Sequence, residues 1–258
     1  MEPLWILYRC IWALNLLATA LVIWRLFHLG LNKTYRFFLA SMAIGLLRSL
    51  ALFPFSPRSQ PYYQIWVWTQ PILWLFQVLV VFELYALVLR QYRGLYTVGR
   101  VFLFGAIAAS ALFSALTVLP TRVASPSEYR VYYYWLLERA VVTSLAIFLA
   151  LLLLLVVWFA VPLSRNLLTH CLVYSAYFFS NNMVFLYRQI VGKNAAYAHV
   201  VAQLSVALVC LLCWVFFLTR RGEDRTASLL LGRNTLQEKH LLGQLENLNA
   251  TLLRTVRK

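Results

Sequence analysis

Apolar residues run through this chain in seven long blocks, at 4–27, 35–55, 63–89, 101–119, 132–160, 166–188 and 196–218. Each is close to the ~20 residues that an α-helix needs to cross the hydrocarbon of a bilayer. The connections are short and several carry helix breakers: Pro54, Pro57 and Pro61 after the second block, Gly94 and Gly99 after the third, Pro120 and Pro126 after the fourth. No soluble domain fits between the blocks. The pattern therefore predicts an all-α, polytopic membrane protein, a seven-transmembrane-helix bundle. The first block is too long for the apolar region of a signal peptide and lacks a small-residue cleavage site, so it is expected to remain as a span.

The pattern changes after Thr219. The stretch Arg220-Arg-Gly-Glu-Asp-Arg225 is polar, and Leu241, Leu245, Leu248, Leu252 and Val256 then recur at steps of four, three, four and four. That spacing makes one hydrophobic seam on a helix, flanked by Lys239, Gln244, Glu246 and Arg254. Two domains are expected: a seven-helix transmembrane domain, 1–219, and a cytoplasmic basic linker with an amphipathic or coiled-coil helix, 220–258. The seam is short for an isolated helix. It suits a helix lying on the membrane or a homodimer formed through Leu241, Leu245, Leu248 and Leu252, and a disordered end is the third reading.

Composition agrees with the pattern. Of 258 residues, 62% are hydrophobic and 12% charged, against roughly 45–50% and 25% in soluble domains. The net charge of +15 would suggest nucleic acid in a soluble chain, but here Lys and Arg cluster at span ends, facing lipid head groups. The partner expected is the lipid bilayer, not nucleic acid. Arg25, Lys33, Arg36, Arg90, Arg93, Arg100, Arg165 and the tail from Arg220 and Arg221 fall on one side of the predicted bundle; Arg58, Arg122, Arg130, Arg188 and Lys193 fall on the other. The richer side is expected to be cytoplasmic. This gives a multi-pass protein of the plasma (inner) membrane, N-terminus outside and C-terminus in the cytoplasm. The four Cys all lie inside spans. The Cys210–Cys213 pair reads as small packing residues.

Candidate chemistry lies in polar residues inside the apolar blocks. The sixth block carries His170, Tyr174, Tyr177 and Asn181 at steps of four, three and four, one helical face. Arg48, Gln70, Glu138, Asn181, Asn182 and Gln203 each lie five to eight residues from an outer span end, about 8–12 Å deep at ~1.5 Å per residue. Polar groups in hydrocarbon need partners or water. A shared depth on five helices predicts a ligand-binding cavity open to the outside, with Arg48 and Glu138 as opposite charges; interhelical hydrogen bonding is the bland alternative. Glu83 lies deeper, among apolar neighbours, and needs a partner. A relay of Glu83, His170, Tyr174 and Tyr177 would connect the cavity inward, and a structural hydrogen bond is the alternative for Glu83. Catalytic motifs of the HExxH, Walker A, GxGxxG and GxSxG kinds do not occur. Neither catalytic residues, metal ligands nor a cofactor are expected.

The piece Trp68-Thr69-Gln70-Pro71 looks like the third helix of microbial rhodopsins, but the seventh block has no Lys to bind retinal. The tail piece Leu236-Gln-Glu-Lys-His-Leu-Leu-Gly-Gln-Leu-Glu-Asn-Leu-Asn249 is similar to the signalling helix that follows the spans in the membrane sensor modules of bacterial histidine kinases and diguanylate cyclases. That resemblance, which covers topology and tail, implies a sensor or receptor-like module. Its outer cavity would couple to a cytoplasmic helix that dimerises or recruits a separate cytoplasmic signalling protein. The alternatives are a structural or accessory subunit of a larger membrane complex and a small-solute transporter.

Overall fold

The computed structural model describes residues 2–56, 59–89, 105, 108, 126–158, 163–191, 196–223, 226–227, 243–244 and 247. Six α-helices are described: α1 (Glu2–His28), α2 (Arg36–Leu52), α3 (Gln60–Val88), α4 (Pro126–Trp158), α5 (Arg165–Val191) and α6 (Ala196–Phe217). Two short strands, β1 (Leu163–Ser164) and β2 (Thr226–Ala227), pair antiparallel with Leu163 opposite Ala227 and Ser164 opposite Thr226. The all-α class is as expected.

The expectation of seven spans needs correction. Among the described residues, four helical stretches are long and apolar enough to cross a membrane: Trp5–His28, Gln60–Val88, Leu137–Trp158 and Ala198–Phe217. This is the mark of a multi-pass membrane protein. Two expected spans fall short for different reasons. α2 has 17 residues, about 25 Å at ~1.5 Å per residue, less than the ~30 Å of hydrocarbon. α5 has ample length, 27 residues, but it carries Asn166, His170, Asn181, Asn182 and Arg188, which dilute its apolar character. The expected span 101–119 lies outside the described residues apart from Gly105 and Ala108, both helical. The seam residues Leu241, Leu245, Leu248 and Leu252 also lie outside them.

Packing divides the chain into two compact units, Met1–Glu83 with Ala176–Arg220, and Leu84–Ser175 with Arg221–Lys258. In the first unit α1 packs against α6 and α2. Its inward stripe is Tyr8, Trp12, Asn15, Ala18, Val22 and Leu26, all buried, at steps of three and four. Its outward face holds Trp5, Ile6, Leu14, Leu17, Leu21, Trp24 and Phe27, all exposed and all apolar. A helix of a soluble protein would place polar residues there; an apolar outer face suits lipid.

At one end of this unit Tyr8, Trp12 and Leu52 form a buried cluster joined by Leu16, Tyr62, Ile65, Val201 and Leu204. The starts of α1, α3 and α6 thus meet the end of α2. At the other end the Phe38 ring packs tilted against that of Trp214 at 4.9 Å, joining the start of α2 to the end of α6. Hence α1, α3 and α6 run one way and α2 the other. Asn15 locks the α1–α6 pair at mid-height, its Nδ2 donating to Leu204 O at 3.1 Å and to Ile11 O at 2.8 Å.

α1 stops because Gly30 takes a left-handed conformation, φ +71°, after Leu29 N–H and Gly30 N–H have closed on Arg25 O and Phe27 O. Only glycine adopts that conformation without strain. A 3-10 turn, Leu31–Lys33, then leads into α2. In the second unit Tyr85 packs on Phe148 at 5.4 Å, and α4 buries Val142, Leu145, Leu149, Leu152 and Val156.

Candidate functional site

The polar side chains with the most definite roles sit at helix ends. A helix leaves its first amides and last carbonyls without partners, and in lipid each such group is costly. At both ends of α2 the partners come from side chains of other helices. Glu83 of α3 serves the first end. Its Oε1 accepts the Phe37 N–H and its Oε2 the Phe38 N–H, each at 3.0 Å. A carboxylate there also meets the positive end of the helix dipole. Hydrogen bonds to a charged group are worth ~1.5–3 kcal/mol each, so the clamp is a substantial element of the fold.

Arg9 of α1 serves the other end of α2. Its Nη1 donates to Phe53 O and its Nη2 to Phe55 O. The guanidinium is also flanked by the rings of Trp5, Trp12 and Phe53 at 5.2–5.4 Å, a cation–π environment. A third charge, Arg25, serves the end of α6: Nε and Nη2 both donate to Leu218 O, at 3.1 and 2.8 Å. The cation here faces the negative end of a helix dipole.

The chain beyond Leu218 is held again in the second unit. Ser164 Oγ accepts the Leu167 N–H at 3.2 Å and so caps α5. Asn166, fully buried in the first turn of α5, donates to Glu223 Oε1 at 3.4 Å. With the β1–β2 pair, this ties Glu223, Thr226 and Ala227 to the segment 163–166.

The expected cavity residues divide between the units. Arg48, Gln70, Asn181, Asn182 and Gln203 belong to the first and Glu138 to the second. Gln70 and Asn181 are buried; Arg48, Asn182, Gln203 and Glu138 are half-buried. Asn181 and Asn182 each donate to a carbonyl of their own helix, Tyr177 O and Phe178 O, at 2.9 Å. The hydroxyls of Thr19, Thr69 and Ser144 do the same with the carbonyls of Asn15, Ile65 and Ala140, a common accommodation of short polar side chains in apolar helices. Gln77 Oε1 is buried and meets no donor among the described residues.

Of the expected relay, Glu83 is engaged by the α2 amides. His170 and Tyr174 are buried in the second unit, and Tyr177 is half-buried in the first. His199 Nδ1 lies 3.3 Å from Val184 O, which joins the start of α6 to the end of α5. Cys210 and Cys213 are not bonded to each other. Among the described residues, no three His, Cys, Asp or Glu side chains form a group able to hold a metal ion.

Arg9, Asn15 and Asn166 were legible as candidates by the argument that marks Arg48. The first two interrupt the first apolar block as plainly as Arg48 interrupts the second, and Asn166 opens the sixth. What no spacing rule indicates is that the partner of each would be a backbone carbonyl or an acid far along the chain. No family model, no curated protein and no solved structure matches this chain.

Proposed function

We propose that this chain is an integral membrane sensor-type module whose output is the position of its tail, with the N-terminus outside and the tail in the cytoplasm. The direction of the helices in the first unit supports the topology. The chain leaves that unit at Glu83, level with the start of α2, and its re-entering segment from Ala176 runs toward the end where Val184 meets His199. The Lys and Arg excess at the end of the first unit that holds the start of α2, with Arg25, Lys33, Arg36 and Arg220, supports a cytoplasmic position for that end.

The observation that carries the functional reading is the double hold on the start of the tail: Leu218 by Arg25, and Glu223, Thr226 and Ala227 by Asn166 and β1. A tail fastened to helix ends is moved when those ends move. The input would be the polar set Arg48, Gln70, Asn181, Asn182 and Gln203, with Glu138 a further candidate. The output would be dimerisation through Leu241, Leu245, Leu248 and Leu252 or recruitment of a separate cytoplasmic protein. One observation favours a structural subunit instead: Asn181 and Asn182 spend hydrogen bonds on their own helix, as polar residues with a purely structural role do.

Limited trypsin digestion of the full chain in nanodiscs separates the two readings. The sensor reading expects Arg48→Met and Gln70→Leu each to change the cleavage rate at Arg220, Arg221 and Arg225 several-fold at unchanged thermal stability. Unchanged cleavage in folded variants would leave the structural-subunit reading.

A further inference from the structure

The inner end of the first unit is richer in cations than in carboxylates. Arg25 ends α1, Lys33 closes the 3-10 turn, Arg36 opens α2 and Arg220 follows α6. The grip of Arg25 on Leu218 O holds the ends of α1 and α6 together, and the left-handed turn at Gly30 brings the chain from α1 directly into α2. Lys33, Arg36 and Arg220 are exposed, and Arg25 is half-buried. The chain has eight acidic residues, yet within Met1–Glu83 and Ala176–Arg220 the only ones are Glu2 and Glu83. Glu2 is at the far end of α1. Glu83 has both oxygens on the Phe37 and Phe38 amides and lies near Arg36. Two carboxylates therefore stand near the four cations: Glu83, beside Arg36, and Glu223, three residues after Arg220 along the chain.

The ligand class follows from what surrounds these charges. They lie at the ends of helices whose outer faces are apolar, where head groups begin. Beside them Trp24, 61% exposed, stacks on His28 at 5.2 Å with the rings nearly parallel, an aromatic pair of the kind that anchors at a head-group boundary. A carboxylate-poor cluster of Lys and Arg at that depth suits a phosphate-bearing head group. We infer that Arg25, Lys33, Arg36 and Arg220 form a binding site for the head group of an anionic phospholipid. The inference rests on the membrane reading and not on the sensor reading. Because Arg220 begins the tail, a bound head group would also bear on where the tail starts.

The test is native mass spectrometry of the full chain released from nanodiscs that contain phosphatidylcholine and phosphatidylglycerol, with and without millimolar inorganic phosphate. The unaltered protein is expected to retain phosphatidylglycerol in preference to phosphatidylcholine. Lys33→Gln alone should lower that preference about five-fold, since each cation near a membrane surface contributes that much, and the triple variant Lys33→Gln, Arg36→Gln, Arg220→Gln should abolish it. Arg188→Gln with Lys193→Gln, which removes charge elsewhere, should change nothing. Equal preference in the unaltered protein and in folded Lys33→Gln would overturn the site. Displacement of the lipid by inorganic phosphate alone would overturn the lipid as its occupant and assign the site to a soluble phosphate.

Discussion

Glu83 shows at the scale of one residue why a charge survives inside an apolar helix. Alone in hydrocarbon a carboxylate is costly, but two amides at a helix start offer it hydrogen bonds and a favourable dipole together. Shape is part of the effect, because each oxygen serves a different amide at 3.0 Å. Glu83→Ala leaves the Phe37 and Phe38 N–H groups without this acceptor and should destabilise the protein by ~1–3 kcal/mol for each amide left unpaired. Glu83→Gln keeps one acceptor and loses the charge, so a smaller loss is expected. Thermal unfolding in detergent by intrinsic fluorescence measures both, and equal stability of Glu83→Ala and the unaltered protein would show that the clamp contributes nothing.

At the scale of the element, α2 and α6 depend on side chains from other helices to close their ends. α2 is held by Glu83 at its start and Arg9 at its finish, and α6 by Arg25. The last is the informative case, because the tail follows within two residues. Arg25→Met keeps the apolar stem and removes both donors to Leu218 O. The expected result is faster amide exchange and faster trypsin cleavage across residues 219–222, with the α1–α6 pairing retained through Asn15 and Leu204. Protection unchanged at 219–222 in hydrogen-exchange mass spectrometry would mean that the tail is held without Arg25.

On the scale of the whole molecule the matter is topology. The proposed topology, with the N-terminus outside and the tail in the cytoplasm, places Ser59 outside and Thr226 inside. In intact cells a membrane-impermeant maleimide should label Ser59→Cys and spare Thr226→Cys, in a background with Cys10, Cys171, Cys210 and Cys213 replaced. The reverse labelling would invert the orientation, and labelling of both would put an even number of crossings between the two positions.

The sequence by itself determined the class of the protein and the placement of its helices, because both follow from local runs. An unbroken apolar block in a chain this poor in charge has few places to go but a membrane. Breakers such as Gly30, Pro54 and Pro126 mark where helices stop or start. Most observed helices lie within a few residues of their blocks, as with Arg165–Val191 against 166–188. The sequence also flagged Glu83 as a residue in need of a partner, and Arg48 as a charge set in hydrocarbon. Only the tertiary structure decided who the partners are. The amides that meet Glu83 lie about 45 positions earlier in the chain, and the carbonyl that meets Arg25 lies 193 positions later. Backbone groups are the same at every residue and leave no mark in a sequence. Whether one is unpaired depends on where a helix ends in space, and which side chain reaches it depends on how the helices pack.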